Sequence, residues 1–542
     1  MNETKQKEIS LTNQSVWILF AKIVGFGLTI LLPILTVRYL TKDEVGVYRQ
    51  VFLVIMGAIP VLPLGFSMSA YYFLSREPEK RSSTIFNILL FNFTMGGLAF
   101  LTLLFFPQIL GNLFQNQEIT RLAPFVGIII WFGIFSNFLE HVALANQETR
   151  LATFFIILAQ FTKMLLMVGA VMFFSTVEAF ICAAILQAFL QTYVLLIYLN
   201  RRFPRYWKCF DLKFFRKQII YALPFGIAGL LYMVQTDIHN YFVGYRFSAT
   251  EFAIYSVGCF QLPLVRILYE SISAVMIPQM SRLQAQGKKR EMLLTTVNAM
   301  QKLALAYFPL FFFLMIVAEV FITTLFTKNY AESVPIFRIN LLLLPFFCLI
   351  IDPIGRAFPE VGRFLLKLRI VLFCTLIAAL WFGIRYFYLR GMIAIFVVVF
   401  IVETIASLLK TLRILKAKRE DIYLLKNVGK TAVSAALAGM FLAAFYWFAK
   451  DALLDVCLNF SRRVLTLINF EKASEFFGGS LFLGICFLIF AAVYLFLANR
   501  FGAIESEDKE KVVDAFQKTL RRIGLRKKNQ KPKTGETLAA AE

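Results

Sequence analysis

The sequence predicts an all-α polytopic membrane protein of about fourteen transmembrane helices. Two six-helix lobes are related by a parallel pseudo-two-fold repeat, and two further helices follow. Three observations lead to this fold. Hydrophobic residues make up 59% of the 542, including 61 Phe, while charged residues make up 16%. Mean hydropathy is +0.71, more apolar surface than a soluble core needs. The chain also divides into apolar windows of the ~20 residues that cross a bilayer. Finally, one phrase near the start returns 207 residues later.

The windows lie near 15–40, 46–73, 83–106, 120–145, 150–174, 178–199, 218–245, 251–278, 298–327, 333–357, 365–388, 391–415, 428–449 and 477–499. Segments this long and uniformly apolar are helices, because barrel strands alternate and open sheet edges cannot face lipid. Pro33, Pro60, Pro63, Pro224, Pro263, Pro309 and Pro345 lie in or near windows, where membrane helices tolerate kinks. The polar start Met1–Gln14 runs into a window too long for a signal peptide, so no cleaved leader is expected. Of seven cysteines, Cys182, Cys259, Cys348, Cys374 and Cys486 fall inside windows. They read as small apolar residues, with no disulfide framework or metal site expected.

Lys and Arg concentrate in alternate connectors: RRFPRYWKCFDLKFFRK at 201–217, KKR at 288–290, RFLLKLR at 363–369 and KTLRILKAKRE at 410–420. The tail adds RRIGLRKKNQKPK at 521–533, whereas the connector after window 5 has neither residue. The connector after window 13 is the exception, with Arg462 and Arg463. The positive-inside rule puts both termini in the cytoplasm. The net charge of +23 is therefore mostly a topology signal, with some attraction to anionic lipid. No basic module stands apart from the spans, so nucleic acid is not expected as a partner.

The repeated phrase is YLTKDEVGVY at 39–48 and RFSATEFAIY at 246–255. Thr41 with Glu44, and Ser248 with Glu251, have the capping-box spacing that satisfies orphan amide donors at a helix start. The offset maps span 1 to span 7 and span 2 to span 8. Six spans per copy keep the same orientation, giving a parallel repeat about an axis normal to the membrane. The expected divisions are an N-terminal lobe at 1–200, a basic linker at 201–217 and a C-terminal lobe at 218–416. Two added helices with an extracytoplasmic interfacial segment follow at 417–500, then a cytoplasmic tail at 501–542. Within the tail, Val512, Val513, Phe516, Leu520 and Ile523 recur at helical spacing, which reads as an amphipathic helix before a disordered end.

Four phrases carry a family resemblance. They are RYLTKDEVGVY after span 1, QTDIHNYFVGYRFSATEFAIYSVG across spans 7 and 8, SAVMIPQMSRLQAQGK closing span 8, and NYAESVPIFRINLLLLP opening span 10. Through about residues 12–420 the chain resembles polysaccharide (oligosaccharidyl-lipid) flippases of the MOP transporter superfamily. Its fourteen spans also resemble the lipid II flippase branch. The resemblance implies a V-shaped pair of lobes around a central cavity, in the inner membrane of a bacterium. Its implied activity is flipping an undecaprenyl-pyrophosphate-linked oligosaccharide from the inner to the outer leaflet by alternating access. Polysaccharide polymerase and assembly machinery are the implied partners, beside substrate and membrane lipids.

A charge inside a span is costly and marks a functional candidate. Lys22, Lys163 and Arg266 are the basic residues read as clearly inside spans, and are the candidate cavity cations for the pyrophosphate. Lys22 lies roughly 10 Å from its span end at 1.5 Å per residue, within reach of snorkelling. Lys163 is mid-span with no acid one turn away, and an interhelical ion pair is its alternative. Arg266 has Glu270 one turn on, so an internal pair is its alternative. The intramembrane acids are Glu140, Asp237, Glu270, Glu319, Asp352 and Glu403. Asp237, Glu403 and Glu270 are candidates for ion coupling or gating, with H⁺ or Na⁺ as the coupling ion and no cofactor. His141 and His239 sit beside or near acids, and structural hydrogen bonding is their simpler reading. Moving an anion outward is favoured across an inside-negative membrane, by about 2.3 kcal/mol per charge per 100 mV.

A multidrug cation antiporter of the same superfamily is the first alternative, and would favour an acidic cavity. An integral-membrane polymerase or ligase is the second, and would need an extracytoplasmic catalytic loop. The longest candidate holds LNFSRRVLTLINFEK, which reads as an interfacial amphipathic segment. A non-transporting scaffold is the third. NVGKT at 427–431 echoes a phosphate loop, but Leu424 stands where that motif needs its first Gly, so direct ATP drive is not expected.

Overall fold

The computed structural model describes residues 31–466 and 473–503. Lys22, most of the first expected span and the expected tail helix lie outside the described residues. The rest is helical, with no strand among the described residues. Ten helices are long and apolar enough to cross a membrane, and two bent pairs raise the number to twelve. The first and tenth expected spans account for the difference from fourteen.

The N-terminal lobe contains a helical stretch at 31–39, α1 (Lys42–Val61), α2 (Ser69–Arg76), α3 (Arg81–Phe105), α4 (Gln108–Phe114), α5 (Gln117–Ala145), α6 (Thr149–Phe173) and α7 (Val177–Arg202). The sequence reading ran span 2 unbroken over 46–73. The chain instead turns at 62–65 and resumes as a short 3₁₀ turn and α2. Pro63 removes a donor at the break, and Gly65 adopts φ +73°, which a residue without Cβ accepts freely.

The C-terminal lobe contains α8 (Leu212–Arg246), α9 (Ala249–Gly258), α10 (Pro263–Ala285), α11 (Lys289–Phe326), α12 (Ser333–Leu341), α13 (Asp352–Ala357), α14 (Pro359–Tyr386) and α15 (Leu389–Ile414). Expected span 10 is not one helix: a 3₁₀ segment at Leu344–Cys348 separates α12 from α13, with Pro345 and Pro353 opening the two later pieces. Span 8 bends by 50° between α9 and α10, where Leu262 is extended ahead of Pro263, as the residue before a proline prefers.

Helix α8 belongs to both lobes. Its halves Leu212–Pro224 and Gly229–Arg246 meet at 45°. Near the linker, Asn87 donates to Gln218 at 2.8 Å and Lys217 pairs with Glu77, mooring the first half to the N-terminal lobe. Asp211 caps the helix, accepting from the Phe214 amide, and Lys80 reaches it at 3.2 Å. These two partners hold the Asp211 carboxyl below its ordinary value. The cap is thus intact at neutral pH and lost as pH falls through that lowered value. The second half of α8 packs on α9, α14 and α15.

The last helices are α16 (Lys426–Thr466) and α17 (Ser474–Arg500). Residues 450–466, expected as an interfacial segment, continue α16 as one helix. No Gly or Pro interrupts them, and Cys457, Ser461 and Leu465 recur at helical spacing on the buried face. The 41 residues reach about 60 Å at 1.5 Å each, twice a bilayer's hydrocarbon thickness. Against α11, Gly479 lies under Thr324, Lys450 pairs with Glu319 at 2.9 Å, and the Tyr494 hydroxyl donates to the Leu305 carbonyl.

Where α8 crosses the 62–65 turn the backbones touch, and a Cβ on Gly226 would lie 2.0 Å from the Leu64 carbonyl oxygen. Gly226→Val is expected to destabilise the protein by about 1–3 kcal/mol, an overpacking cost. Gly229, with nothing within 4 Å of its Cβ position, is expected to accept Ala without loss. Thermal unfolding of the two variants in detergent checks the difference.

Candidate functional site

Both capping boxes form. Glu44 accepts from the Thr41 amide at 2.8 Å and Glu251 from the Ser248 amide at 2.9 Å, with both reciprocal bonds present. The two helices they start, α1 and α9, then pack against each other. Thr250 reaches Asp43, its partner 207 residues away, at 3.4 Å. A Cβ on Gly46 would lie 1.9 Å from the Ala249 carbonyl oxygen, so α1 and α9 meet backbone to backbone. Further along α1, Gln50 donates to the Gly244 carbonyl at 3.3 Å, and Leu53 accepts from the Tyr241 hydroxyl at 3.2 Å. This seam closes the end of the molecule carrying Thr41 and Ser248 (the capped end). On its surface, a cavity of about 310 Å³ is lined by Asp43, Gln115, Asn116, Arg246 and Ser248 among others. At the same end the Arg38 guanidinium donates to the carbonyls of Thr324 and Leu325 at 2.6 and 2.7 Å. A cation there complements the C-terminal dipole of α11.

Of the six intramembrane acids, four pair with cations. Arg266 and Glu270 meet at 2.8 Å within α10, and Arg356 and Asp352 at 3.0 Å within α13. Glu319 takes Lys450 as described. Glu403 on α15 accepts from Arg369 on α14 at 3.0 and 3.1 Å, and from Gln235 on α8 at 2.6 Å. The Arg369 guanidinium also lies 5.0 Å from the Tyr232 ring centre, a stacking a cation favours. Asp237 on α8 has Asn240 as its hydrogen-bond partner. His239 is buried, with Nδ1 2.7 Å from the Tyr255 hydroxyl and its ring against Phe396. His141 Nδ1 faces the Asn137 carbonyl at 2.9 Å.

The candidate residues are therefore not one cluster. Glu403, Asp237 and the histidine His239 border the second half of α8. Arg266 and Glu270 form their own pair on α10. Lys163 stands apart on α6, half-buried and without a carboxylate partner among the described residues. Arg369 and Arg49 also lie inside helices, where the sequence reading did not place a cation. Arg369 was counted with the basic connector at 363–369, yet α14 starts at Pro359, a residue suited to a first helical turn. Arg49 is two turns inside α1, a depth that the Thr41 cap already implied.

The Arg369–Glu403 pair is mostly buried, with side-chain exposures of 29% and 13%. Removing one member leaves the other without compensation, a loss of about 3–5 kcal/mol for a buried pair. Glu403→Met is expected to lower thermal stability more than the double change Arg369→Met/Glu403→Met, which a double-mutant cycle in detergent measures.

Solved structures share the fold. A lipid II flippase MurJ in an inward closed conformation aligns over 90% of this chain and 98% of its own, at TM-score 0.63 and 15% identity. An inward-facing multidrug resistance MATE family transporter of the MOP superfamily covers 73% of this chain and 98% of its own, at 0.57 and 16%. A MOP superfamily transporter from Pyrococcus furiosus, described by a binding pocket of reversed polarity, covers 74% and 96%, at 0.53 and 14%. A search of curated proteins returns no match. The family model for polysaccharide biosynthesis proteins matches residues 34–335, which hold the helical stretch at 31–39 from its fourth residue, both capping boxes and the seam between them. The chain belongs to the polysaccharide biosynthesis protein family, as a multi-pass membrane protein with the fold of the MOP-superfamily transporters.

Proposed function

We propose that this protein flips an undecaprenyl-pyrophosphate-linked oligosaccharide from the inner to the outer leaflet of a bacterial cytoplasmic membrane. Both termini face the cytoplasm, so the capped end faces outward. The observation that carries the reading is the seam. The two lobes close on each other at the outward end through matching helix starts, in a family devoted to polysaccharide synthesis. Alternating access requires that such a closure open and re-form.

Small residues in backbone contact and a long polar bond at the rim suit a gate. Gly46 and Ala249 approach without interlocking side chains, and the Asp43–Thr250 bond is long. Lys163 supplies positive charge not already cancelled by a carboxylate, as a pyrophosphate leaving water requires. Asp237 is the acid best suited to H⁺ or Na⁺ coupling, since Glu270 and Glu403 already hold arginines. The flipped product would pass to a polymerase in the outer leaflet.

The test is transport in proteoliposomes loaded with a fluorescent lipid-linked oligosaccharide. With the seven native cysteines replaced, Asp43→Cys/Thr250→Cys bridged by a short bifunctional thiol reagent is expected to stop flipping, and the unbridged protein to flip normally. Flipping at an unchanged rate after bridging would overturn the gate. Lys163→Gln, with normal membrane insertion, is expected to slow transport about tenfold, the equivalent of about one charge-assisted hydrogen bond.

A further inference from the structure

The cavity on the capped end is built by both lobes. Asp43, Gln115 and Asn116 line it from the N-terminal lobe, and Arg246, Phe247 and Ser248 from the C-terminal lobe. Phe114 closes its base. That ring is 2% exposed and meets Gly244 of α8, whose Cβ position lies 2.8 Å from it. The walls therefore face each other across the seam. Drawing the α8–α9 turn away from the start of α1 and from the α4–α5 turn takes the cavity apart, so it exists only in the closed state.

Its polar groups are held in place but not used up. Asp43 gives Thr250 one carboxylate oxygen, Oδ1, and keeps the other. Asn116 accepts from the Glu118 amide through Oδ1, which leaves its NH2 group uncommitted. Gln115 stands in the left-handed region at φ +49° between α4 and α5. Its exposed side-chain amide has no hydrogen-bond partner among the described residues. The Arg246 guanidinium has no carboxylate partner there either. Glu251, which its charge reaches, is held by the Ser248 amide and the Tyr388 hydroxyl. Across one space, Asp43 repels an anion and Arg246 repels a cation. An uncharged molecule rich in hydroxyls, each both donor and acceptor, answers both. Phe247 adds an apolar surface for the face of a sugar ring. The volume of about 310 Å³ is at the lower end of the ~300–1,000 Å³ of small-molecule sites, enough for a short saccharide.

We propose that this cavity is a saccharide site on the outer surface, which takes sugar units of the exported glycan and thereby holds the seam shut. The inference rests on the flippase reading and adds a feedback to it. A saccharide that bridges Arg246 to Gln115 and Asp43 binds the closed state alone, and a ligand specific to one state shifts the protein toward that state. Glycan accumulated outside the membrane thus slows the opening that each cycle of transport needs. The site is separate from the path of the lipid-linked substrate through the interior, since it opens on the surface of the closed molecule.

The probe is the oligosaccharide released by mild acid from the host's polyprenyl-linked glycans. Calorimetry of the full chain in detergent is expected to show binding, about tenfold weaker in Arg246→Gln and about fivefold weaker in Gln115→Gly. Glycine suits the φ at 115, so the second variant tests the site even if the first does not fold. In proteoliposomes, the same oligosaccharide supplied on both sides at its dissociation constant is expected to slow flipping by the wild type by about half, and by Gln115→Gly by only about one fifth. No binding by the wild type, or equal binding by all three proteins, would overturn the site while normal flipping without oligosaccharide upholds the transporter reading. Failure of the untreated wild type to flip would overturn the transporter reading, and the feedback with it, whichever way binding falls. Displacement of the bound oligosaccharide by equimolar sodium diphosphate would assign the cavity to an anion and overturn the saccharide assignment.

Discussion

The approach of Gly46 to the Ala249 carbonyl is the contact on which the rest of the arrangement depends. It brings α1 and α9, the equivalent helices of two repeats, into backbone contact at the capped end. A larger residue at 46 would hold the lobes apart, and Gln50 and Tyr241 would then lose their reach across the seam. The capping boxes start each helix at the same relative position, so the two copies arrive in register. Toward the other end, the first half of α8 ties the C-terminal lobe to the N-terminal one through Gln218, Lys217 and Asp211. Among the described residues, the fold is closed at the capped end by α1 and α9 and moored toward the other by the bent helix α8.

Electrostatics divides the intramembrane charges into two kinds. Arg266, Arg356, Arg369 and Lys450 each have a carboxylate within hydrogen-bond reach, so their charge is largely spent inside the protein. Lys163 has none among the described residues. An anion entering from water loses hydration, and only an uncommitted cation restores that loss without first breaking an existing pair. This is why the unpaired Lys163, rather than the more numerous paired cations, carries the functional reading.

Much of the fold was legible in the sequence because membrane helices announce themselves by length and apolarity, and the capping boxes by spacing. Thr41 and Ser248 cap as their neighbours predict. That the two boxes touch each other was not legible, since a repeat says how copies are oriented and not where they meet. Broken spans were harder. Pro63, Pro345 and Pro353 punctuate segments whose apolarity is unbroken, so hydropathy alone runs through them. The continuation of α16 past Lys450 was masked by Asp451, Asp455, Arg462 and Arg463, which lie exposed on an otherwise regular helix. Among the candidate residues, Glu270 one turn from Arg266 predicted the observed pair. Partners on other helices, such as Arg369 for Glu403, depend on helix rotation, which uniformly apolar spans do not encode.

The most direct measurement of the account is made in the native host. The protein is depleted, polyprenyl-linked glycans are identified by mass spectrometry, and a membrane-impermeant probe reports which leaflet holds them. The account predicts a complete lipid-linked repeat unit trapped in the inner leaflet. Accumulation in the outer leaflet, or no accumulation together with new sensitivity to cationic drugs, would contradict it.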